Sequence, residues 1–591
     1  MSDAITTGDS GDLVLAGEFP AVTRQQWQSL VARVVGSTAD SPERELTTIT
    51  ADGIEIAPLY TATGSHADPG YPGQAPFVRG RTAAGHRGGW DVRQRHEHPD
   101  PAVAREQIME DLDGGVSSLW LGLGEGQIPV EALPDVLAEV YLDLAPVVLD
   151  AGERFAEAAA VFLGQVAQRG VPATELAGCL GADPLGVLAR TGTEPGQEAS
   201  LEAAAALAGR CAAGFPGVRA IVVDALPFHE AGGTDAQELG CALAAGVAYL
   251  RALRAAGLPA DAAFGQLEFR YAATADQFTT IAKFRAARRT WARVAAQCGV
   301  SAGQWQHAVS SWPMLTRRDP WNNILRGTLA CFAAGTGGAD AVTTVPFDAA
   351  IGQPDRLARR VARNLQALLV EESQVARVID PAGGSWYVED LTEQLALAAW
   401  TCFQDTERTG GLRAALADGV IAGQLAASRD ARRDALARRR EAITGVSEFP
   451  LIGETLLTRP PLLSRPAQPG PGGGLPRIRW AQWHEEFRDR ADAYARLTGS
   501  PPAVALVPAD GSRAARTRAD QVAALLAPVG ITTADGSPVT IVCGGPDTSA
   551  GQVRAAMDEA RARGASTVVD AAEITDVLAF GDRMLTALGV A

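Results

Sequence analysis

Residues 220–297 carry the pattern that decides the fold: Ala220-Ile-Val-Val-Asp-Ala225, a helix-like Asp235–Ala256, then Gly265-Gln-Leu-Glu-Phe269, and a second helix-like run, Gln277–Gln297. The apolar runs have strand length, and the Ala/Arg/Glu/Leu-rich runs have helix length. The alternation extends both ways. Upstream lie β-like runs at Trp90–Arg95, Ser117–Leu123, Pro146–Leu149 and Leu176–Leu180, with a helical run at Ser200–Ala213. Downstream lie Gln306–Val309 and Ala341–Val345. Eight strand–helix units in ~270 residues match a parallel (β/α)8 (TIM) barrel. A doubly wound sheet is the second reading, and eight units count against it.

Before the barrel, Met1 to Glu18 is acidic and Gly-rich, Gln25–Val35 reads as a helix, and Gly53–Tyr60 is extended. Gly64–Gly89 is rich in Gly and Pro and reads as a long arm. Residues 1–89 are therefore expected to be an arm and helix that wrap a partner, with packing of the arm on its own barrel as the alternative. Residues 90–457 would be the barrel with a helical extension from Gln353 to about Ile443. Residues 458–476 hold too much Pro and Gly for a helix or an inner strand, and read as a linker. Residues 477–591 open with a helix at Trp480–Leu497. Strands then follow at Ala503–Val507, Val539–Val542 and Ser566–Val569, with helices at Arg516–Leu526, Ala550–Arg563 and Ala579–Leu588. This α/β pattern predicts a short flavodoxin-like domain.

Composition narrows the function classes. The net charge is −17 and no basic block stands out, which argues against nucleic acid. No apolar run reaches the ~18 residues of a membrane span, and no basic-then-apolar leader is seen at the N-terminus, so a cytoplasmic protein is expected. The 7 cysteines are widely spaced without a C-x-x-C, which speaks against a disulfide framework or a structural zinc. Lys283 is the only lysine, so a P-loop lysine is missing and a Schiff base has one candidate.

Four constellations could carry chemistry. His96-Glu97-His98 could hold a metal, but no third ligand is marked, and it reads as a solvated loop end. Gly122-Leu-Gly-Glu-Gly126 lacks the last glycine of a phosphate cradle and reads as a turn. His229-Glu230 lies past a strand end, where an acid/base pair and plain loop polarity are both open readings. Pro381-Ala-Gly-Gly-Ser-Trp-Tyr387 reads as a turn before a helix.

Several segments resemble the methylmalonyl-CoA mutase family, in that family's order. They are Gly53–Tyr60, His229-Glu-Ala-Gly-Gly-Thr-Asp-Ala-Gln-Glu-Leu239, Ile281-Ala-Lys-Phe-Arg-Ala-Ala-Arg-Arg-Thr-Trp291, Asn322-Asn-Ile-Leu-Arg326, Arg363-Asn-Leu-Gln366 and Arg377-Val-Ile-Asp-Pro-Ala-Gly-Gly-Ser-Trp-Tyr-Val-Glu389. The resemblance implies a barrel that holds an acyl-CoA and a flavodoxin-like domain that holds adenosylcobalamin, together interconverting methylmalonyl-CoA and succinyl-CoA. The departures fall on the chemistry. Arg95 stands where catalytic members carry the tyrosine of R-Q-Y, Pro227 where they carry the thioester-binding histidine, and Gly181 where they carry the substrate glutamine. The bulky runs Leu119-Trp120-Leu121 and Val147-Val148-Leu149 replace small residues that let the CoA arm through. In the cobalamin motif Asp510 persists, but Ser512 replaces the cobalt-ligating histidine and Leu506 the lysine four residues before the aspartate. The resemblance thus implies a non-catalytic small subunit that binds no cofactor itself. It would pair 1:1 with a catalytic large subunit holding adenosylcobalamin. A self-standing acyl-CoA mutase relative with altered chemistry is the alternative, and an acyl-CoA binding module a weaker third.

Overall fold

The structure, a computed structural model, describes residues 17, 19–20, 22–36, 38–62, 68–85, 88–462 and 473–590. The described residues up to 62 belong to one compact unit and those from 68 onward to a second. In the first unit a helix spans Arg24–Val35. It starts on a capping box between Thr23 and Gln26 and stops at Gly36, whose φ of 70° suits a residue without a Cβ. Strands β1 (Thr48–Ile49) and β2 (Glu55–Ile56) then pair antiparallel.

The second unit begins with the barrel. Its strands are β3 (Asp91–His96), β4 (Ser118–Gly122), β5 (Val147–Asp150), β6 (Ala177–Ala182), β7 (Gly217–Asp224), β8 (Leu267–Ala273), β9 (Trp305–Ser310) and β10 (Ala341–Thr343). They close in the ring order β10-β3-β4-β5-β6-β7-β8-β9, every pair parallel. The eight runs read from the sequence are these eight strands. The largest boundary error is at β8, which continues four residues beyond Phe269. A search for apolar runs stops at Arg270. The closed barrel accepts that arginine because its side chain points inward, where acidic partners wait. The long helices Asp235–Ala255 and Gln277–Gln297 pack outside, the first behind a Thr234–Gln237 capping box.

Among the arm's described residues, Phe77 and Val78 are buried and their carbonyls accept from Arg288 at 2.9 and 2.8 Å. Arg81 pairs with Asp340 at 2.9 Å and Arg79 with Asp380 at 3.1 Å. This part of Gly64–Gly89 packs on its own barrel. Arg288 makes the difference: it is fully buried, and its N–H groups are spent on carbonyl oxygens, those of the arm included.

After the barrel come helices Trp386–Arg408 and Val420–Ala437, then the C-terminal sheet. Its strands are β11 (Ala503–Pro508), β12 (Thr532–Thr533), β13 (Val539–Cys543) and β14 (Thr567–Asp570), all parallel in the order β12-β11-β13-β14. Val504, Val522, Ile541, Val569 and Met584 form its core. The two-residue β12 has no counterpart among the sequence-based strands, being too short and polar to show as a run.

Candidate functional site in the barrel lumen and on the sheet

Side chains alternate across a strand, so half of each barrel strand faces the axis. On β3 the inward residues are Arg93 and Arg95; on β4, Trp120; on β8, Glu268 and Arg270. Strands β4 and β8 are diametrically opposite in the ring. Even so, the Arg270 guanidinium lies 4.1 Å from the centre of the Trp120 ring, and the Arg95 guanidinium lies 4.2 Å from it. The indole is thus held between two cations, a contact of at least ~0.5–2 kcal/mol each when desolvated. Deeper in the barrel, Trp305 on β9 meets Arg93 of β3 at 5.4 Å and Arg219 of β7 at 4.2 Å. Two Arg–Trp–Arg layers therefore cross the axis. Val148, Cys179, Val222 and Val309 fill the space around Trp120.

Each cation has an acidic partner, as buried charge requires. Arg93 pairs with Glu268 at 2.7 Å, Arg95 with Asp150 and Glu97 at 2.8 Å, and Arg270 with Asp224 at 3.0 Å. Arg190 closes on Asp224 as well. Burial alone would raise the Asp150 carboxyl, but Arg95, Arg270 and Arg190 outweigh it and hold the group below the usual range. His307 sits among these arginines. Burial first, then Arg93, Arg270 and Arg95, push it well below an ordinary imidazole, so it is neutral. Arg270 Nε donates to its Nδ1 at 3.2 Å, which leaves Nε2–H to donate to Thr343 at 2.8 Å.

The three barrel positions marked by the sequence all lie at strand C-terminal ends. Arg95 is the last inward-facing residue of β3 and lies over Trp120. Gly181 lies in β6 with φ +72°, and a Cβ there would stand 1.9 Å from the Leu149 carbonyl oxygen. Its backbone leaves no room for any side chain. Pro227 opens the short helix Leu226–Glu230 after β7 and is buried. Trp120 and Val148 do fill the interior as expected. Their neighbours Leu119, Leu121, Val147 and Leu149 alternate to the outer face and are buried there. The charged part of the filling, Arg93, Glu268, Arg270 and Arg219, was missed. A charge inside an apolar run was the available signal.

The other constellations resolve as structure. His96 is not a solvated loop end: it ends β3 on the outer face, 2% exposed and 3.7 Å from Asp111. Burial, then Arg359, lowers it to about 3. Alternation that puts Arg95 inside puts His96 outside. Gly122–Gly126 is a turn, with Gln127 N donating to Gly124 O at 3.1 Å. Pro381–Tyr387 leads into helix Trp386–Arg408. His229 and Glu230 diverge. His229 Nε2 bonds Ser311 Oγ at 2.7 Å, with Glu238 3.4 Å from its Nδ1. Glu230 instead pairs with Arg477 at 2.7 Å. Lys283 bonds Asp235 at 2.7 Å and Glu238 at 2.9 Å. Burial would lower it, but the two carboxylates prevail and keep it an ammonium, unsuited to a Schiff base.

Above the mouth, residues 473–480 cross the loops that follow β6, β7 and β9. Leu475 N donates to Ala189 O at 2.8 Å, Ile478 N to Glu230 O at 2.9 Å, and Trp480 N to Pro313 O at 2.9 Å. Helix Gln482–Thr498 follows. Its buried Glu485 accepts from Arg317 N at 2.5 Å and pairs with Arg479 at 2.6 Å.

On the sheet, Leu506 lies on the central strand β11 and packs against the core. Asp510 accepts from Ser512 N at 2.9 Å and Thr548 Oγ1 at 2.6 Å; the Ser512 hydroxyl first, then Thr548 and the Ser512 N–H, hold its carboxyl low. Ser512 is the N-cap of helix Arg513–Leu526, its hydroxyl accepting from Ala515 N at 3.0 Å. Sequence reading found these three residues but not Thr548, 38 residues from Asp510.

A closed parallel eight-stranded barrel with charged residues across its axis, followed by a small parallel sheet, defines the class of protein. The family model for methylmalonyl-CoA mutase matches residues 128–459. The methylmalonyl-CoA mutase small subunit of Streptomyces virginiae is 53% identical over 513 residues, 85% of this chain and 82% of that one. A probable small subunit from Mycobacterium bovis is 42% identical, covering 92% and 91%. The small subunit of Propionibacterium freudenreichii subsp. shermanii is 40% identical, covering 83% and 77%. The chain belongs to the methylmalonyl-CoA mutase family, and its likeness is to members named small subunits.

Proposed function

We propose that this chain is the non-catalytic small subunit of a heterodimeric adenosylcobalamin-dependent methylmalonyl-CoA mutase. A catalytic large subunit, paired 1:1 with it in the cytoplasm, binds the cofactor and carries out the isomerisation of methylmalonyl-CoA to succinyl-CoA. The observation that carries this reading is the filled lumen. An acyl-CoA arm threading the axis would have to displace Trp120, Trp305 and their paired arginines. Gly181 without room for a side chain and Pro227 without a donor support it.

The C-terminal sheet reads as a flavodoxin-like domain shortened to four strands, within a domain spanning 477–591. Its residues do not fit a cobalt-ligand set. Ser512 already uses its hydroxyl to cap a helix, and Leu506 is packed in the core. Residues 1–89 as arm, 90–457 as barrel and 458–476 as linker complete the reading. The names of the relatives support the large-subunit partner.

The test has two parts. The isolated chain, gel-filtered after incubation with adenosylcobalamin, should carry no corrinoid absorbance. Co-expressed with a catalytic chain of the family, it should elute as a 1:1 pair with mutase activity. Stoichiometric corrinoid on the isolated chain, or turnover by it alone, would overturn the proposal. Arg95→Tyr with Pro227→His should not restore turnover, because the lumen stays filled.

A further inference from the structure

One side of the second unit exposes an unusual amount of apolar surface. Helix Asn322–Thr336 begins just after Trp321 and shows Trp321, Leu325 and Leu329 to solvent, 53, 63 and 41% exposed. Spaced by four, these residues share a face. Residues 445–454 are tethered to the start of this helix at both ends. Arg326 donates to Thr444 O at 2.7 Å, and Asp319 N to Glu454 at 2.9 Å. The loop between carries Phe449, Leu451 and Ile452, exposed by 85, 62 and 42%. Taking ~150–250 Å² per large side chain, the six present roughly 500–800 Å². The largest apolar patch of a typical monomer is about 300–600 Å², and a stable interface buries about 800 Å² per partner.

The rim of this surface is basic. Arg438, Arg439 and Arg440 have side chains 58, 47 and 62% exposed. Arg439 pairs with Glu448, next to Phe449, while Arg438 and Arg440 share Asp434. Asp576 also acts on Arg438, so the three guanidinium groups meet three carboxylates.

We infer that this surface, centred on Leu325 and Phe449 and rimmed by Arg438–Arg440, is where the catalytic large subunit docks. This rests on the proposed function. The partner's matching face is apolar at its centre, with polar groups around it. The large apolar area supplies the affinity, and the arginine rim sets orientation and association rate.

The test uses the full chain co-expressed with its catalytic partner. Leu325→Glu with Phe449→Glu should weaken pairing at least ~100-fold, with the melting temperature of the isolated chain unchanged. Phe449→Ser alone serves as a milder variant at a solvent-facing position and should weaken pairing measurably. Arg438→Glu, Arg439→Glu and Arg440→Glu together should slow association and remove most of its salt dependence. If the wild-type chain pairs and these variants pair equally well, the docking surface is refuted while the subunit reading stands. If the wild type does not pair, both fail. If the patch variants instead break up a dimer of this chain and leave the large subunit bound, the occupant is a second copy and the inference is overturned.

Discussion

The barrel and the C-terminal sheet share a construction: parallel strands whose C-terminal ends form one rim, where such folds place ligands. Their rims differ in opposite directions. The barrel carries more side chain than a threaded lumen allows, with arginines and tryptophans crossing the axis on paired charges. At the sheet rim the polar residues are spent on turn and cap bonds. Filling a lumen adds contacts that the fold comes to depend on. A single cap or turn bond at a loop end carries little that the fold needs. Substitutions at the barrel rim should therefore be far more disruptive than those at the sheet rim.

The largest effect is expected from Trp120→Ala. It empties the central layer and leaves two guanidinium groups without their ring, a loss of about 3–5 kcal/mol in denaturant unfolding. A loss below ~1 kcal/mol would mean that the lumen is not held together through this ring. Next is Gly181→Gln. The left-handed backbone alone costs about 1–3 kcal/mol, and the Leu149 carbonyl stands in the way of the new Cβ. A variant as stable as the parent would show that β6 relaxes easily and that the glutamine position is recoverable.

A third effect follows pH. His96 and His484 are buried, and burial is the main reason they titrate near about 3 and about 4 in the folded chain. Their unfolded forms take a proton near ~6.5, so the unfolded state gains protons first as pH falls. Their contribution is present above ~6.5 and declines through the folded values, by at most ~1.4 kcal/mol per pH unit for each. Asp183 acts in the other sense. Burial raises it to about 7, so its contribution is full below the unfolded carboxylate value near ~3.9 and is lost as pH rises to about 7. Asp183 accepts from the Tyr249 hydroxyl at 2.6 Å, which keeps it in place. Asp183→Asn should make stability rise more steeply between pH 4 and 7, and His96→Gln should make it rise less; urea midpoints against pH test both. An unchanged slope in Asp183→Asn would show that this carboxyl is ionised throughout.

The smallest effect belongs to the sheet. Ser512→Ala removes a helix cap and should cost about 1 kcal/mol, with faster amide exchange confined to the first turn of Arg513–Leu526. A cost matching that of Trp120→Ala would erase the contrast between the two rims.

Much was legible without coordinates. Strand and helix alternation marked all eight barrel strands, because each apolar run is bounded by helix-like sequence. Residue chemistry alone showed that Pro227 has no donor and Ser512 no imidazole. How the arm packs was not legible, because Gly and Pro content reports how hard a segment is to fold alone and says nothing of Arg288, ~210 residues away, that anchors it. The number of barrel strands and the family motifs were thus determined by the sequence itself. Which side chains face the axis was decided only by closure of the sheet. Barrel strands are buried on both faces, so their apolar pattern does not distinguish inside from outside. Arg93 and Glu268 are 175 residues apart and find each other only because a ring brings their strands to face across one lumen.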